Sequence, residues 1–189
     1  ELSQLWNPYS TNDNYLTEVT LPEGKTISGW NFIGYRPGSN SVNGEVKYDQ
    51  DDIGTPFKVK YNVWPYIRSV YSRNLKVNYN ANGGMGTTDS QSKVQYYNSG
   101  YGNGTINKGG NVSSVSFELS NNYFTKLGYK FSKWTEGSTS GTEYNEGDNY
   151  VFAPNVNESN SKTFYVKWTE QSYTLTFNPT GPTNPSTLP

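Results

Sequence analysis

Apolar and polar residues alternate in short runs along most of the chain. Leu75, Val77 and Tyr79 in "NLKVNYN", and Phe164, Val166 and Trp168 in "KTFYVKW", take every second position. At that period a strand turns one face to a core and the other to water. The period, with the turn residues that punctuate it, predicts strands over 17–21, 30–35, 45–48, 57–63, 75–79, 93–97, 113–119, 130–134, 149–152, 163–169 and 173–177. No segment sustains a 3.6-residue period, and the one helix expected is a turn or two around 118–126. The fold class read from this pattern is mainly β, with little helix.

The pattern also repeats. Gly29, Trp30, Phe32 and Tyr35 in "GWNFIGY" match Gly128, Tyr129, Phe131 and Trp134 in "GYKFSKW", and Leu21 and Leu119 lie at similar distances upstream. Downstream, each copy passes through Gly, Tyr and an acidic-Gly turn, and "PFKVKY" is matched to "TFYVKW" as the closing strand. "SYTLTF" opens as "NLKVNY" does and is read as the first strand of a third copy. Residues 1–71 are therefore expected to form a divergent first module plus linker, and 72–170 a complete module with a Gly-, Asn- and Tyr-rich insertion at 84–111. Residues 171–189 hold an incomplete third repeat and a Pro-rich tail. Strand parity places Tyr129, Phe131 and Lys133 on one face, so Phe131 is expected toward the core and Trp134 is expected to cap it after a bend. The candidate core motif is Gly29, Phe32, Gly128, Phe131, Trp134, Phe164, Val166 and Trp168, with Gly128 in a conformation that a side chain would obstruct.

Composition narrows the chemistry. Cysteine and histidine are both absent, which removes disulfides, thiolate or imidazole zinc sites, Cys or Ser–His nucleophile pairs and a histidine switch. The formal net charge is −1 with 16% charged residues, so no basic field favours nucleic acid, and no apolar run is long enough for direct membrane insertion. No cofactor is expected. Asp49, Asp51 and Asp52 before Gly54 could offer oxygens to calcium, but they lack the spacing of a Ca²⁺-binding loop and read as a solvated turn. Glu136/Glu143 and Glu146/Asp148 could be set across a glycosidase cleft, yet a small β module rarely encloses one, and no catalysis is expected. Lys167 or Lys76 could serve an intramolecular isopeptide bond, which would need the lysine, an Asn or Asp and an acidic residue buried together; burial is not a property the sequence displays, and no such bond is expected.

Aromatic residues make up 16% of the chain, including 17 Tyr. Tyr96, Tyr97 and Tyr101 in the insertion, and Trp64 and Tyr66 in "VWPYIRSVY", are the candidates for stacking on sugar rings or on a protein partner; 64–71 reads first as a linker packed between modules. Asn103, Asn111 and Asn157 lie in Asn-x-Ser/Thr triplets.

"KVNYNANGG", then "GYKFSKW", a Gly/Asp turn and "TFYVKWTE", is similar to the Listeria–Bacteroides repeat, also known from the B-repeat of internalin-type surface proteins. The resemblance covers 74–170 in order, 17–64 divergently and 172–182 in its first strand only. It implies tandem, small β-grasp-like modules on extracellular proteins of the prokaryotic cell surface, acting as stalk or adhesin without catalytic residues. The partners it implies are a host or neighbouring-cell surface protein or glycan, or copies of the protein itself. A self-assembling subunit of a filament, sheath or surface layer, adding the strand 173–177 to a neighbour, is the alternative; a carbohydrate-binding module is third.

Overall fold

The computed structural model of the chain describes residues 16–37, 42–60, 67–100 and 110–176. The first repeat contributes β1 (Leu16–Thr20), β2 (Asn31–Pro37) and β3 (Pro56–Lys60), and β4 (Ile67–Asn80) runs on into the second. The second repeat adds β5 (Gln91–Asn98), β6 (Asn111–Val112), β7 (Val115–Glu118), β8 (Tyr129–Glu136), β9 (Glu143–Tyr144), β10 (Asn149–Phe152) and β11 (Ser161–Glu170). One mixed seven-stranded sheet has the order β6-β5-β4-β11-β8-β9, with β2 also beside β4; β1 with β3, and β7 with β10, form two-stranded sheets. Within the large sheet β4 and β11 run parallel, and every other pair is antiparallel.

The main core belongs to the second repeat. Leu75 and Val77 of β4, Trp134 of β8, and Phe164 and Val166 of β11 are fully buried, each at 0% exposure. Phe117, Leu119, Tyr150 and Phe152 join the same cluster from the β7–β10 ribbon and its flank, so the ribbon covers one face of the sheet. Tyr150 and Tyr144 meet the Phe164 ring edge-on at 5.0 and 5.6 Å, a favourable arrangement for aromatic rings.

Residues 118–126 form no helix. Leu119 is clamped by backbone bonds to Asp148 and Gly147, Asn122 turns its side chain onto the Phe124 amide and carbonyl, and Thr125 pairs with Met85. Asn favours such local bonds over helical ones. Residues 45–48 make only a bridge from Tyr48 to Tyr35, and 173–176 are irregular and exposed; residue 177 lies outside the described residues.

The parity expected for the motif is also corrected. Lys133 pairs with Lys167 and Phe131 with Trp168, so Ser132 is the extra residue of a β-bulge on β8. The bulge brings Phe131 and Trp134 together, with ring centroids 5.1 Å apart, and it is Trp134 that is fully buried while Phe131 is half-buried.

The same device stands in the first repeat, where Phe32 pairs with Tyr71 and Gly34 with Val70, leaving Ile33 as the bulge. Phe32 and Tyr35 also lie 5.1 Å apart, at 67° against 64° for Phe131 and Trp134. The entry turns match: the Trp30 amide donates to Ile27 and the Tyr129 amide to Lys126, with Gly29 and Gly128 at φ of 76° and 75°. Leu21 and Leu119 are both buried and accept from the amides of Gly54 and Gly147, each at φ 76°.

These equivalences replace the sequence alignment of "PFKVKY" with "TFYVKW". Pro56–Lys60 pairs with β1 as Asn149–Phe152 pairs with β7, so β3 corresponds to β10. The closing strand of the first repeat is the opening half of β4, with Tyr71 in the place of Trp168. Residues 67–80, divided in the sequence reading between a linker and an opening strand, are one continuous strand across 71/72.

Candidate functional site

The most elaborate polar constellation among the described residues lies where the two repeats meet on β4. Arg73 follows Tyr71 and Ser72 on that strand and is 6% exposed. Its Nε donates to Gln95 Oε1 at 2.8 Å, and its terminal nitrogens reach the carbonyls of Pro154 and Asn155 at 3.0 Å, Glu158 at 3.0 Å and Val156 at 3.4 Å. Gln95, 0% exposed, continues the network by donating to Ser113 O and Pro154 O, both at 3.0 Å. A planar guanidinium presents five donors in a rigid fork, and here they hold the 154–158 turn in one shape.

The first repeat closes over this cluster. The Trp30 ring lies 4.3 Å from the Arg73 guanidinium carbon, its Nε1 donates to Val156 O at 3.0 Å, and its ring packs 5.7 Å from Tyr97. Tyr97 in turn lies 5.9 Å from Tyr71. The Tyr71 and Tyr35 hydroxyls anchor the loop before Trp30 by donating to Lys25 O at 2.7 Å and Pro22 O at 2.9 Å. Burial pushes the Tyr35 and Tyr71 phenols up from their ordinary pKa, and burial draws the Arg73 guanidinium down against the opposing pull of Glu158.

Two open recesses flank the 155–160 turn. One, of about 440 Å³, is bounded by Asn111, Val112 and Asn157; the other, of about 320 Å³, by Ser28, Gly29, Arg73 and Asn160. Their amides and hydroxyls suit hydrogen bonding with a polar surface. Asn111 and Asn157, each in a glycosylation-type triplet, are exposed at their rims; Asn103 lies outside the described residues.

Of the tyrosines singled out in the insertion, Tyr96 and Tyr97 are in β5 opposite Ser72 and Tyr71, and both are half-buried; Tyr101 lies outside the described residues, as do Trp64 and Tyr66. Of the core motif, Phe164 and Val166 are fully buried and Trp168 is half-buried, donating to Ala81 O and Asn82 O; Phe32 is half-buried in the first repeat.

The acidic residues serve turns and pairs. Asp49 and Asp52 cap the 3-10 turn Gln50–Asp52, Glu143 pairs with Lys167, and Asp148 holds Asn145. Glu136 accepts from Lys162 at 2.9 Å, Tyr150 at 3.0 Å and Tyr144 at 3.3 Å. No group of three or more metal-ligating side chains lies among the described residues.

Arg73 and Gln95 were not singled out in the sequence. An Arg within alternating apolar positions, "VYSRNLKV", is the signal that could have found the first; nothing local marks the second. No protein-family model, curated protein or solved structure matches the chain.

Proposed function

We propose that the chain is a non-enzymatic segment of an extracellular, prokaryotic cell-surface protein, in which small β-grasp-like repeats in tandem act as a stalk that can carry adhesive loops. The β-grasp reading is supported by the order β5-β4-β11-β8, in which the first and last strands of the repeat lie parallel at the centre. The stalk reading rests chiefly on one observation: β4 closes the first repeat and opens the second, so the joint is made of sheet. A shared strand, pinned by Arg73 and Trp30, resists the bending that a flexible linker would allow. The surface location and the partners, a surface protein or glycan, rest on the repeat resemblance.

The test is light scattering coupled to size exclusion over a range of concentrations, with small-angle scattering on the same fractions. The expected result is a monomer whose scattering fits one fixed arrangement of the repeats. Concentration-dependent polymers would favour a self-assembling subunit, a reading supported by Tyr173 and Leu175, which stand 82% and 78% exposed beside the end of β11.

A further inference from the structure

One face of the large sheet lies under the β7–β10 ribbon, and the other changes character along its length. On that second face β4 begins covered, with Arg68 and Val70 at 4% and 0% exposure in the first repeat. It emerges in the second repeat, where Asn74 and Lys76 are exposed and Asn78 is half-buried. The register carries the open face across the sheet: Val94 lies opposite Asn74, Thr163 beside Asn78, Lys133 opposite Lys167, and Lys130 opposite Thr169. Tyr165, half-buried, falls between Thr163 and Lys167 on the same face.

Charge on this face does not follow the chain's net value of −1. It carries Lys76, Lys130, Lys133 and Lys167, and Glu143 is the one acidic side chain that the register of the described strands places there. Lys133 and Lys167 stand directly opposite each other, a pairing that costs a sheet stability. Glu143 pairs with Lys167, and the Asn145 side-chain oxygen accepts from Lys133. Lys76 and Lys130 form no ion pair among the described residues. From Ser161, beside Lys76, to Lys167 the strand covers about 20 Å at the usual rise per residue. The side chains of Asn78, Thr163 and Tyr165 occupy that interval.

We propose that this open face is a binding surface for an anionic polysaccharide, a chain of uronate or similarly acidic sugars laid across β4, β11 and β8. The proposal rests on the reading of the chain as a stalk that engages surface glycans, and it names the class of glycan. Carboxylates of the sugar chain meet Lys76 at one end and Lys130 and Lys133 at the other; its hydroxyls meet the amide and hydroxyls between them. Nucleic acid fits less well, because its phosphates are spaced far more densely than these cations and Tyr165 is the one ring that the register offers between them for stacking. An acidic polypeptide matches the lysines but brings no hydroxyls for the row between them.

The test is binding of the full chain to immobilised polygalacturonate, neutral dextran and polyglutamate at about 150 mM salt, where long-range attraction is screened. Polygalacturonate should bind and dextran should not. Lys76→Gln and Lys133→Gln should each weaken binding about 3-fold, and Lys133→Gln should also raise the melting temperature by removing the like-charge pair. A lysine with a merely structural role would not lower affinity while raising stability. Lys47→Gln removes the same charge from the first repeat and should leave binding unchanged. No binding to polygalacturonate, or an equal loss in Lys47→Gln, overturns the proposal; tighter binding to polyglutamate overturns it in favour of an acidic protein. Light scattering reports on the stalk reading separately, so a fixed monomer that binds no polyanion fails here alone.

Discussion

In the second repeat, Trp134 is enclosed by Tyr79, Phe131 and Phe124, with ring centroids 4.7, 5.1 and 6.3 Å away, and its Nε1 donates to Ser120 O; all of these partners lie in the same repeat. In the first repeat, the equivalent Tyr35 meets Phe32, while Trp30 rests on Arg73, Tyr97 and Val156 of the second. The entry turn, the bulge and the aromatic pair are the same in both, so these features set the geometry of the motif. They do not by themselves make a self-sufficient core. The second repeat has an opening strand whose Leu75 and Val77 fill the sheet centre; the first draws its closure from β5 and the 154–158 turn of its neighbour. The dependence is expected to run one way, and that expectation can be broken from either side.

The largest effect is expected at Trp134. Trp134→Ala should remove about 3–5 kcal/mol, the usual range for a large aromatic lost from a packed core. Because β4 is shared, chemical denaturation should show both repeats failing together. Tyr35→Ala should instead abolish exchange protection in β2 while leaving β8 and β11 protected. Equal loss in both repeats from Tyr35→Ala would refute the one-way dependence.

Arg73 comes next. Arg73→Met should lower stability by about 2–3 kcal/mol, since several partly buried carbonyls lose their donor together. Protection should fall first at 31–36 and around 154–158. Arg73→Lys should rescue little, because one ammonium cannot span acceptors arranged for a planar fork. Full rescue by Lys would mean that charge alone holds the joint.

Most of the strands and the repeated aromatic motif were legible because alternation and turn residues are local signals, and Phe164 and Val166 are buried as their period implied; 45–48 and 173–176 alternate too but form no strand. Three things were not legible. A bulge is one residue of slippage, invisible to a period count, and it moved Trp134 from the edge of the core to its centre. "PFKVKY" and "TFYVKW" look alike because both are alternating strands, but β3 pairs with β1 while β11 pairs with β8 and β4; pairing partners are a tertiary property. Likewise the joint joins Arg73 to carbonyls more than eighty residues away in sequence, beyond the reach of any motif.

A smaller effect sharpens the claim that the turns are equivalent. Gly29 and Gly128 both sit near φ +75°, and a Cβ at either would meet nothing within 4 Å, so substitution is penalised by backbone conformation alone. Gly128→Ala and Gly29→Ala should each cost about 1 kcal/mol locally. Thermal unfolding should register Gly128→Ala more clearly, since it weakens the repeat on which the other leans. Indistinguishable melting curves for the two variants would argue for mutual support.

The smallest effect separates the repeats by pH. Burial works to raise the pKa of Glu136, but the Lys162 ammonium and the Tyr150 and Tyr144 hydroxyls outweigh it and hold the carboxyl below its ordinary value. A depressed folded-state pKa means that the contribution is complete above the unfolded value, near ~4.3, and is lost as pH falls through the folded value. The Glu136 side chain is 21% exposed and that of Lys162 is 32% exposed, so screening keeps the contribution below about 1 kcal/mol. The position equivalent to Glu136 in the first repeat is Pro37, which cannot ionise. Acidification from pH 7 to well below pH 4, through the depressed folded-state value, should therefore weaken protection at Asn149–Phe152, and Glu136→Gln should flatten that response. The direct response of 31–36 should be unchanged by the same variant. A matching loss of pH sensitivity in β2 would mean that the ion pair's influence crosses the joint, and that the repeats are coupled more tightly than their cores suggest.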